Sequence, residues 1–429
     1  MGSLAKWIFG IVIMLLLTST LTFAFNVKTA KNTWTGTIYI RADGSIDPSD
    51  APIISYDNTT YILTTNITSS ADGIIVERDD VVIDGAGYAV QGVGKYVGLD
   101  ISGRSNVTIK NMKIRMFWCG ILLSHSSNNS IIGNNITDNS NYGIWLRGSS
   151  SGNIVRNSII ENNADGIMLS GSLNNKIVGN NLIRNNWYGI EFYNSSNNCV
   201  IGNNLIRNGQ NGIRLYVSSN NSIYHNNFIN NTLQVYSPYS RNKWDNGYPS
   251  GGNYWSNYKG VDLSSGPYQN ETGSDGIGDT PYIIDKNNVD RYPLMGPFNS
   301  FNISVGYSVD VISNSIIEDF RYFEFNNTIV MHASNMTADQ TFGFCRLTIP
   351  HDVISPPYTV KVNDTTIGYQ TVYENYTEGI SIIYFTYEHS KLEITIISEF
   401  PSVTIPLLIV IITTLLIAST KKRTKSKIS

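Results

Sequence analysis

The stretch from Asn175 to Phe192 reads NKIVGNNLIRNNWYGIEF, and it decides the fold that the sequence predicts. Its apolar residues form three short clusters separated by asparagine and glycine, which are poor helix formers and good turn formers. In the last cluster Ile190 and Phe192 alternate with Glu191, as in a strand that buries one face. We therefore expect three short strands and three bends in this stretch.

The same pattern recurs along the chain. A glycine followed by an aliphatic residue returns six times, with a spacing of 23 residues from Gly120 onward. These glycines are Gly98, Gly120, Gly143, Gly166, Gly189 and Gly212. An asparagine series keeps the same step through Asn111, Asn134, Asn157, Asn180, Asn203 and Asn226. A fixed period of this length predicts a solenoid in which one repeat forms one coil.

Two solenoid architectures share this period. A leucine-rich repeat needs several leucines at set offsets and usually a convex helical segment, neither of which this repeat supplies. We predict instead an all-β chain with a parallel β-helix of about 23 residues per coil, right-handed like most crossovers. The pairs Ile144/Leu146 and Ile190/Phe192 should face inward, with Trp145 and Glu191 outward.

The repeated asparagines allow two interpretations. Stacked on successive coils, their side chains would bond to one another and to the backbone, since each amide both donates and accepts. Alternatively, they serve only as turn formers at solvent-facing bends.

Composition limits the classes of partner. The chain has 429 residues and a net charge of −3, with no basic stripe before its extreme C-terminus, which argues against nucleic acid as a partner. The three cysteines, Cys119, Cys199 and Cys345, fall at unrelated positions, so a disulfide framework is not predicted.

The chain divides into several segments. Residues 1–25 resemble a secretory signal peptide, with a retained anchor as the alternative. Residues 26–97 form an N-terminal entry with the first irregular coils, 98–237 form the regular repeats, and 238–300 form an aromatic, glycine-rich cap. Alternating strand patterns over residues 301–398 predict a small β-sandwich.

The C-terminus predicts a membrane anchor. Residues 403–420 carry no charge and would form a transmembrane helix, and residues 421–429 form a basic tail. Because basic tails stay on the cytoplasmic side, we expect a single-pass protein of the cell membrane with its body outside.

A Ser-Asn-Asn-x-Ile-x-Gly-Asn-Asn pattern recurs around Ser127, Ser196 and Ser219, and the cap contains the sequences GNYWSNY from Gly252 and DGIGDTPY from Asp275. In these motifs the chain resembles the NosD-like β-helix proteins, whose best-known members are called periplasmic copper-binding proteins. The cap sequences are more specific to that family than the coil pattern. The resemblance covers roughly residues 35–296 and implies a right-handed helix. The sandwich and anchor resemble those of archaeal surface proteins.

The resemblance raises the question of metals. Copper sites need clustered His, Cys or Met, whereas the five histidines are scattered, so a copper site is not expected. Calcium fits the cap loop better, because Asp275 and Asp279 place two carboxylates on a glycine-rich loop. The alternative is a plain Asp-Gly turn, and no cofactor is otherwise indicated.

Carbohydrate is the ligand class that the outward positions indicate. Trp118 and Trp187 share one position of the repeat, and Tyr142 and Tyr188 share the next. The expected carbohydrate-binding residues are Trp145, Trp187, Tyr188, Glu191 and Arg214. Exposed aromatic rings offer stacking area for sugars, although the same residues could simply pack at the bends.

The leading prediction is therefore noncatalytic binding of a polysaccharide or a surface glycoprotein. One alternative is a polysaccharide lyase or hydrolase, for which Asp138 and Glu161 would lie about 5 Å apart on adjacent coils. These two residues also fit a surface charge ladder with neighbouring arginines. The other alternative is a copper-binding accessory protein of the NosD type.

Overall fold

The structure, a computed structural model, describes residues 34–148, 151–304, 306–388 and 391–398. The predicted signal peptide, transmembrane segment 403–420 and basic tail lie outside these ranges. Within them, no helix is long and apolar enough to cross a bilayer. Apart from one 3₁₀ turn, Glu324–Asn326, the regular structure of the described residues consists of strands, which confirms the all-β prediction.

One side of the solenoid is a ten-stranded sheet, which we call the front sheet. Nine of its strands are parallel neighbours from successive coils, and one short antiparallel strand closes the N-terminal edge. The parallel strands are Ile38–Ile40, Ile74–Val76, Val97–Asp100, Cys119–Ser124, Tyr142–Arg147, Ile167–Ser170, Tyr188–Tyr193, Asn211–Tyr216 and Leu233–Tyr236, and the closing strand is Ile46–Asp47. Coils therefore begin well before residue 98, within the segment 26–97 to which the sequence assigned the entry and the first irregular coils.

The other two sides of each coil belong to one seventeen-stranded sheet. One side holds Ile53–Ile54, Thr60–Leu63, Val82–Asp84, Thr108–Lys110, Lys176–Val178, Cys199–Ile201 and Ser222–Tyr224. The other holds Trp34–Thr35, Ile67–Thr68, Ala89–Gln91, Lys113–Arg115, Asn181–Ile183, Asn204–Ile206, Asn227–Ile229 and Tyr254–Trp255. Ser130–Thr137 and Ile154–Ile160 run through the bend and contribute to both sides. Three strands per coil agree with the sequence prediction.

The interior of the solenoid is a column of aliphatic side chains. Ile144 pairs with Ile167 and then Ile190 in register, and none of the three is accessible to solvent. Leu146 and Phe192 are likewise buried, as predicted. Each coil covers the apolar surface of its neighbours, so the coils depend on one another for stability.

The recurrent glycine is required by the close approach of neighbouring coils. A Cβ atom added at Gly143 would lie 2.5 Å from the carbonyl oxygen of Gly166 and 2.7 Å from Cγ2 of Ile159. A backbone carbonyl cannot give way as a flexible side chain can. The glycine repeat therefore marks the point where the backbone of one coil presses on the next.

Each of the three bends of a coil holds an asparagine. These asparagines stack from coil to coil in three rows, which we call the asparagine columns. The first contains Asn129, Asn153, Asn175, Asn198, Asn221 and Asn242. The second contains Asn134, Asn157, Asn180, Asn203, Asn226 and Asn253. The third contains Asn139, Asn162, Asn185, Asn208 and Asn231.

Asn180 shows how one amide in a column is satisfied. Its backbone N–H and its Nδ2 both donate to Oδ1 of Asn203, at 2.9 and 2.8 Å. Its Nδ2 also donates to the carbonyl oxygen of Val155 at 2.8 Å, and its Oδ1 accepts from the N–H of Asn157. The predicted ladder is confirmed, and Asn180 is buried rather than solvent-facing.

The predicted series was wrong at its first member. Asn111 is exposed with a positive φ, and the N–H that donates to Asn134 Oδ1 belongs to Met112. The interval from Gly98 to Gly120 is 22 residues, one shorter than the later repeats. That missing residue shifts Met112 into the place that asparagine holds elsewhere.

The cap closes the C-terminal end of the solenoid. Its own short strands are Ser264–Ser265, Glu271–Thr272, Tyr282–Asp285 and Asn288–Asp290. The Trp255 ring stacks between Phe228 and Tyr282, with both centroid distances 4.3 Å, and its Nε1 donates to Asp290 Oδ2 at 2.8 Å. The aromatic density of this segment thus forms an ordered plug, as the sequence indicates.

Residues 298–398 form two five-stranded antiparallel sheets. The first contains Phe298–Ser304, Tyr307–Ser313, Phe342–Pro350, Ile380–Glu388 and Gln370–Asn375. The second contains Ser315–Phe323, Thr328–Asn335, Leu392–Ser398, Tyr358–Val362 and Thr365–Ile367. Buried residues from both sheets, such as Leu347 and Ile394, share one core cluster. The sheets therefore pack face to face, in the arrangement of the expected sandwich.

A buried arginine joins the sandwich to the cap. Arg346 is 1% exposed and donates to the carbonyl oxygens of Asp275 and Pro249. Its guanidinium also lies 3.9 Å from Oδ2 of Asp275. The sandwich is therefore docked on the cap by charge-assisted contacts as well as by apolar packing.

Candidate functional site

The outer face of the front sheet carries a first aromatic cluster, formed by Trp118, Tyr142 and Trp145. The Trp145 ring lies 5.1 Å from Tyr142 and 5.6 Å from Trp118 between centroids, and Trp118 lies 5.5 Å from Tyr142. Trp118 is 36% exposed. Three mutually packed rings thus form an apolar surface on a solenoid whose bends are lined with amides.

A second aromatic cluster lies on the same face, two coils further along. It contains Trp187, Tyr188, Glu191, Arg214 and Tyr216. Glu191 forms an ion pair with Arg214, whose guanidinium lies 5.5 Å from the Tyr188 ring centre and 5.3 Å from that of Tyr216. Trp187 lies 6.4 Å from Tyr188 and is 50% exposed. Four of the five predicted carbohydrate-binding residues are therefore neighbours, and Trp145 belongs to the first cluster.

A tyrosine stack extends the second cluster toward the end of the strand. The rings of Tyr193 and Tyr216 are 5.6 Å apart and nearly parallel, and Tyr239 meets Tyr216 edge-on at 6.0 Å. Tyr193 and Tyr239 are exposed. These tyrosines enlarge the stacking surface beyond the residues that the sequence singled out.

The coil between the two clusters, which we call the gap coil, carries smaller outer residues. Met168 pairs in register with Trp145 on one side and Glu191 on the other, so the two clusters lie about 10 Å apart. Ser170 likewise pairs with Arg147 and Tyr193. The gap coil therefore lies between two aromatic walls.

Asp165 is the unusual residue of the gap coil. It is 1% exposed, and its carboxyl group lies against the side chain of Glu191 and the backbone of Tyr188. Burial raises its pKa to about 9, and the negative charge of Glu191 adds to the rise. The Glu191 side chain beside it is in turn paired with Arg214.

The pKa values of the neighbouring tyrosines are raised by the same burial. Burial raises the pKa of Tyr142, with further contributions from Asp165 and Glu191. Burial also raises the pKa of Tyr188, which Arg214 opposes. Both phenols stay protonated at neutral pH and can donate hydrogen bonds to a ligand.

Sequence reasoning missed Asp165, although a signal was present. Asp165 precedes Gly166 at the repeat position where Tyr142 and Tyr188 precede Gly143 and Gly189. An Asp-Gly pair is typical of a turn, so the sequence gives no reason to expect a buried carboxyl at this position. An acid at a position where the coils on either side carry tyrosine is the feature that could have revealed it.

The structure gives Asp138 and Glu161 an ordinary surface environment. Glu161 forms an exposed ion pair with Arg184, whose Nε donates to it at 2.7 Å. This arrangement favours the charge ladder over the catalytic pair, because Glu161 already has a cationic partner.

The cap carboxylates have partners from the protein itself. Asp279 accepts the N–H groups of Leu263 and Ser264, both at 3.1 Å. Asp275 accepts the N–H of Ile277 at 3.0 Å and lies beside Arg346. Throughout the described ranges, no three His, Cys, Asp or Glu side chains are grouped as a metal site requires. The Arg346 guanidinium therefore supplies the positive charge that a calcium ion would otherwise bring to Asp275.

A cavity of about 430 Å³ lies where the solenoid meets the cap. It is lined by residues 230–235, 256, 257, 259 and 282–284. Within it, Gln234 already bonds to Asn231 at 2.9 Å and to Ser256 at 3.1 Å. The two aromatic clusters and the buried carboxyl of Asp165 make the front sheet the stronger candidate.

The sequence matches a family model described as right handed beta helix region. The matches cover residues 52–186 and 97–271, which together span just over half of the chain. No curated protein matches the sequence.

Several solved structures resemble the chain. A mutant of the periplasmic alginate epimerase AlgG is 19% identical, with 43% of this chain and 66% of the epimerase chain covered and a TM-score of 0.31. The enzymatically active domain of bacteriophage CBA120 tailspike protein 2 is 12% identical, with 80% and 72% covered and a TM-score of 0.36. ORF18 of Geobacillus virus E2 is 12% identical, with 74% and 64% covered and a TM-score of 0.39.

Proposed function

Since the chain belongs to the right-handed β-helix family, whose coils build a long continuous sheet, we propose that it binds carbohydrate on its front sheet. The observation that carries the proposal is the pair of aromatic clusters on one face. Their rings offer flat apolar area, and the Glu191–Arg214 pair beside them offers polar groups for sugar hydroxyls.

The proposed site extends across several coils. About 10 Å separates the two clusters, which suits an extended polysaccharide better than a single sugar. We propose that the ligand is a polysaccharide or the glycan of a surface glycoprotein. Residues 403–420 would hold the chain in the cell membrane with the coils outside, where such ligands occur.

Binding is tested with the full chain on a panel of mannan, dextran, xylan, polygalacturonate and alginate. Trp187→Ala is expected to weaken binding about tenfold, which corresponds to about 1.4 kcal/mol. Tyr268→Ala removes a ring that is 85% exposed on the cap and serves as the matched control. Equal affinity for all three proteins would contradict the proposed face, and no binding to any polysaccharide would contradict the function.

The metal hypotheses need separate measurements. The NosD resemblance motivates a copper test, and Asp275 and Asp279 motivate a calcium test. Calcium binding would raise the melting temperature of the full chain, because a ligand that binds only the folded state stabilises it. Metal analysis of the purified chain would detect tightly bound copper. An unchanged melting temperature and the absence of stoichiometric copper would count against both metals.

A further inference from the structure

A depression of about 420 Å³ lies where the chain leaves the last coil and meets the cap, and we call it the basic pocket. Its lining includes one carboxylate, that of Asp245, and four cationic side chains. The cations are Arg241, Lys243, Lys286 and Arg291. Because the whole chain has a net charge of −3, positive charge is concentrated here on a weakly acidic protein.

The carboxylate of the basic pocket neutralises only one of the four cations. Nε and Nη2 of Arg291 donate to Oδ2 and Oδ1 of Asp245, at 2.9 and 2.5 Å, and Asp245 is buried. Among the described residues, no carboxylate forms a salt bridge with Arg241, Lys243 or Lys286, and all three are exposed. Three positive charges at the pocket therefore remain uncompensated.

The backbone holds these three cations close to one another. Asn242, between Arg241 and Lys243, belongs to the first asparagine column, and its N–H donates to Oδ1 of Asn288 at 2.9 Å. Asn288 lies in the cap hairpin whose turn carries Lys286. Like charges held together repel one another, and a concave surface of one sign concentrates ions of the opposite sign. The basic pocket is therefore suited to an anion.

The basic pocket adjoins the tyrosine stack of the front sheet. A neighbouring depression, lined by residues 235–239 and 284–287, shares Lys286 and Asn287 with it. Tyr239 lines this depression, is 80% exposed and meets Tyr216 edge-on at 6.0 Å. A continuous surface thus leads from the second aromatic cluster to the cations of the cap.

Asp285 is the carboxylate that lines this connecting depression. It accepts hydrogen bonds from Oγ of Ser237, from Nδ2 of Asn288 and from the N–H of Asn287, the last at 2.7 Å. Its oxygens are thus engaged by neighbouring groups, and the three uncompensated cations outnumber it.

We propose that the basic pocket binds anionic groups of the glycan, so that the ligand of the front sheet is an acidic polysaccharide. This inference rests on the proposed carbohydrate binding and adds the class of polysaccharide. Sugar rings stack on the aromatic clusters, and carboxylate or sulfate groups of the same polymer pair with Arg241, Lys243 and Lys286. Guanidinium and ammonium groups form charge-assisted hydrogen bonds with either anion.

The first test compares binding of the full chain to acidic and neutral polymers. Alginate and polygalacturonate carry carboxylates, dextran sulfate carries sulfate esters, and dextran is the uncharged counterpart of dextran sulfate. At least one class of acidic polymer is expected to bind about tenfold more tightly than dextran, and high salt should reduce this advantage because it screens exposed charges. The class that binds identifies the anion.

The second test removes the uncompensated cations. A variant with Arg241→Gln, Lys243→Gln and Lys286→Gln should bind the acidic polymer about tenfold more weakly and keep its affinity for dextran. Its melting temperature should match that of the unaltered chain, since all three side chains are exposed. Arg291 stays in place, because its loss would leave the buried Asp245 carboxylate without a counterion.

The matched control removes the same amount of charge elsewhere on the solenoid. Lys113→Gln, Arg115→Gln and Lys176→Gln replace three exposed cations of the coils, and this variant should bind the acidic polymer as the unaltered chain does. Trp187→Ala should weaken binding of the acidic polymer and of dextran alike, because both stack on the front sheet.

The outcomes separate this inference from the proposed function. Equal affinity for dextran and all three acidic polymers would overturn the role of the basic pocket and leave carbohydrate binding intact. An equal loss in the pocket variant and its control would do the same. Acidic-polymer binding that Trp187→Ala leaves undiminished would overturn the continuous site, and no binding to any polysaccharide would overturn both proposals.

Discussion

The asparagine columns and the front sheet belong to the same coils but follow opposite rules. In the columns the same residue returns in every coil, and each amide finds partners in its neighbours, as Asn180 does with Asn203 and Val155. On the front sheet the outer residue changes from coil to coil, and Asp165 stands where the neighbouring coils have Tyr142 and Tyr188. The contrast teaches that repetition secures the scaffold of a solenoid, while departures from repetition mark the place to look for function.

The largest loss of stability is expected at the recurrent glycine, where the backbones of neighbouring coils are in closest contact. Gly143→Ala places a Cβ atom against the carbonyl oxygen of Gly166, and relieving that overlap should cost about 3 kcal/mol of unfolding free energy. Denaturant unfolding measures the change. Gly368→Ala is the control, since nothing lies within 4 Å of its added Cβ. Equal stability of the two variants would show that the coils can separate without penalty.

The next largest loss of stability is expected in the asparagine columns. Asn180→Ala leaves the N–H of Asn157 and the carbonyl of Val155 without their partner, so the unfolding free energy should fall by roughly 1–3 kcal/mol. Asn181→Ala, an exposed neighbour, provides the comparison in the same unfolding experiment. If both variants lose equally little unfolding free energy, the asparagine columns stabilise the solenoid only as turn formers.

A change in stability of opposite sign is expected on the front sheet. Asp165 has a pKa of about 9 when folded, against 3.8 for the ordinary carboxyl, in a setting formed by Glu191, Arg214, Tyr142 and Tyr188. Between these values the folded chain binds one proton more than the unfolded chain, so stability falls as pH rises. Asp165→Asn should remove this loss, so its melting temperature should exceed that of the unaltered chain at pH 7.

The pH series also supplies the check on this prediction. Melting temperatures of the Asp165→Asn and unaltered chains should converge near pH 4 and diverge toward pH 8. Asp138→Asn, which changes a carboxyl elsewhere on the solenoid, should leave the pH dependence as it is. Parallel curves for Asp165→Asn and the unaltered chain would mean that the carboxyl is already ionised when folded.

The smallest effect is expected for the surface charge ladder. Glu161→Gln removes an exposed ion pair with Arg184 and should change the unfolding free energy by no more than about 1 kcal/mol. High salt should shrink the difference further, because it screens exposed pairs. A larger, salt-independent loss would place Glu161 among the structural residues of the coil.

The difference between repeating and non-repeating positions also explains which features could be predicted from the sequence. The strands, the inward aliphatics and the amide ladder were predictable because each coil repeats the same local choices, and the error at Asn111 arose where one coil is a residue short. Asp165 escaped because an Asp-Gly pair normally means a turn. Arg346 escaped because its partner Asp275 lies 71 residues away along the chain, and no local pattern reports so distant a contact.

The cap has a consequence for how the molecule avoids self-assembly. Tyr254–Trp255 takes up the strand edge of Asn227–Ile229, and Asn253 completes the second asparagine column. A chain cut before the cap would present that edge and a row of open amides as a template for another copy. We expect such truncated chains to join end to end into filaments visible by electron microscopy.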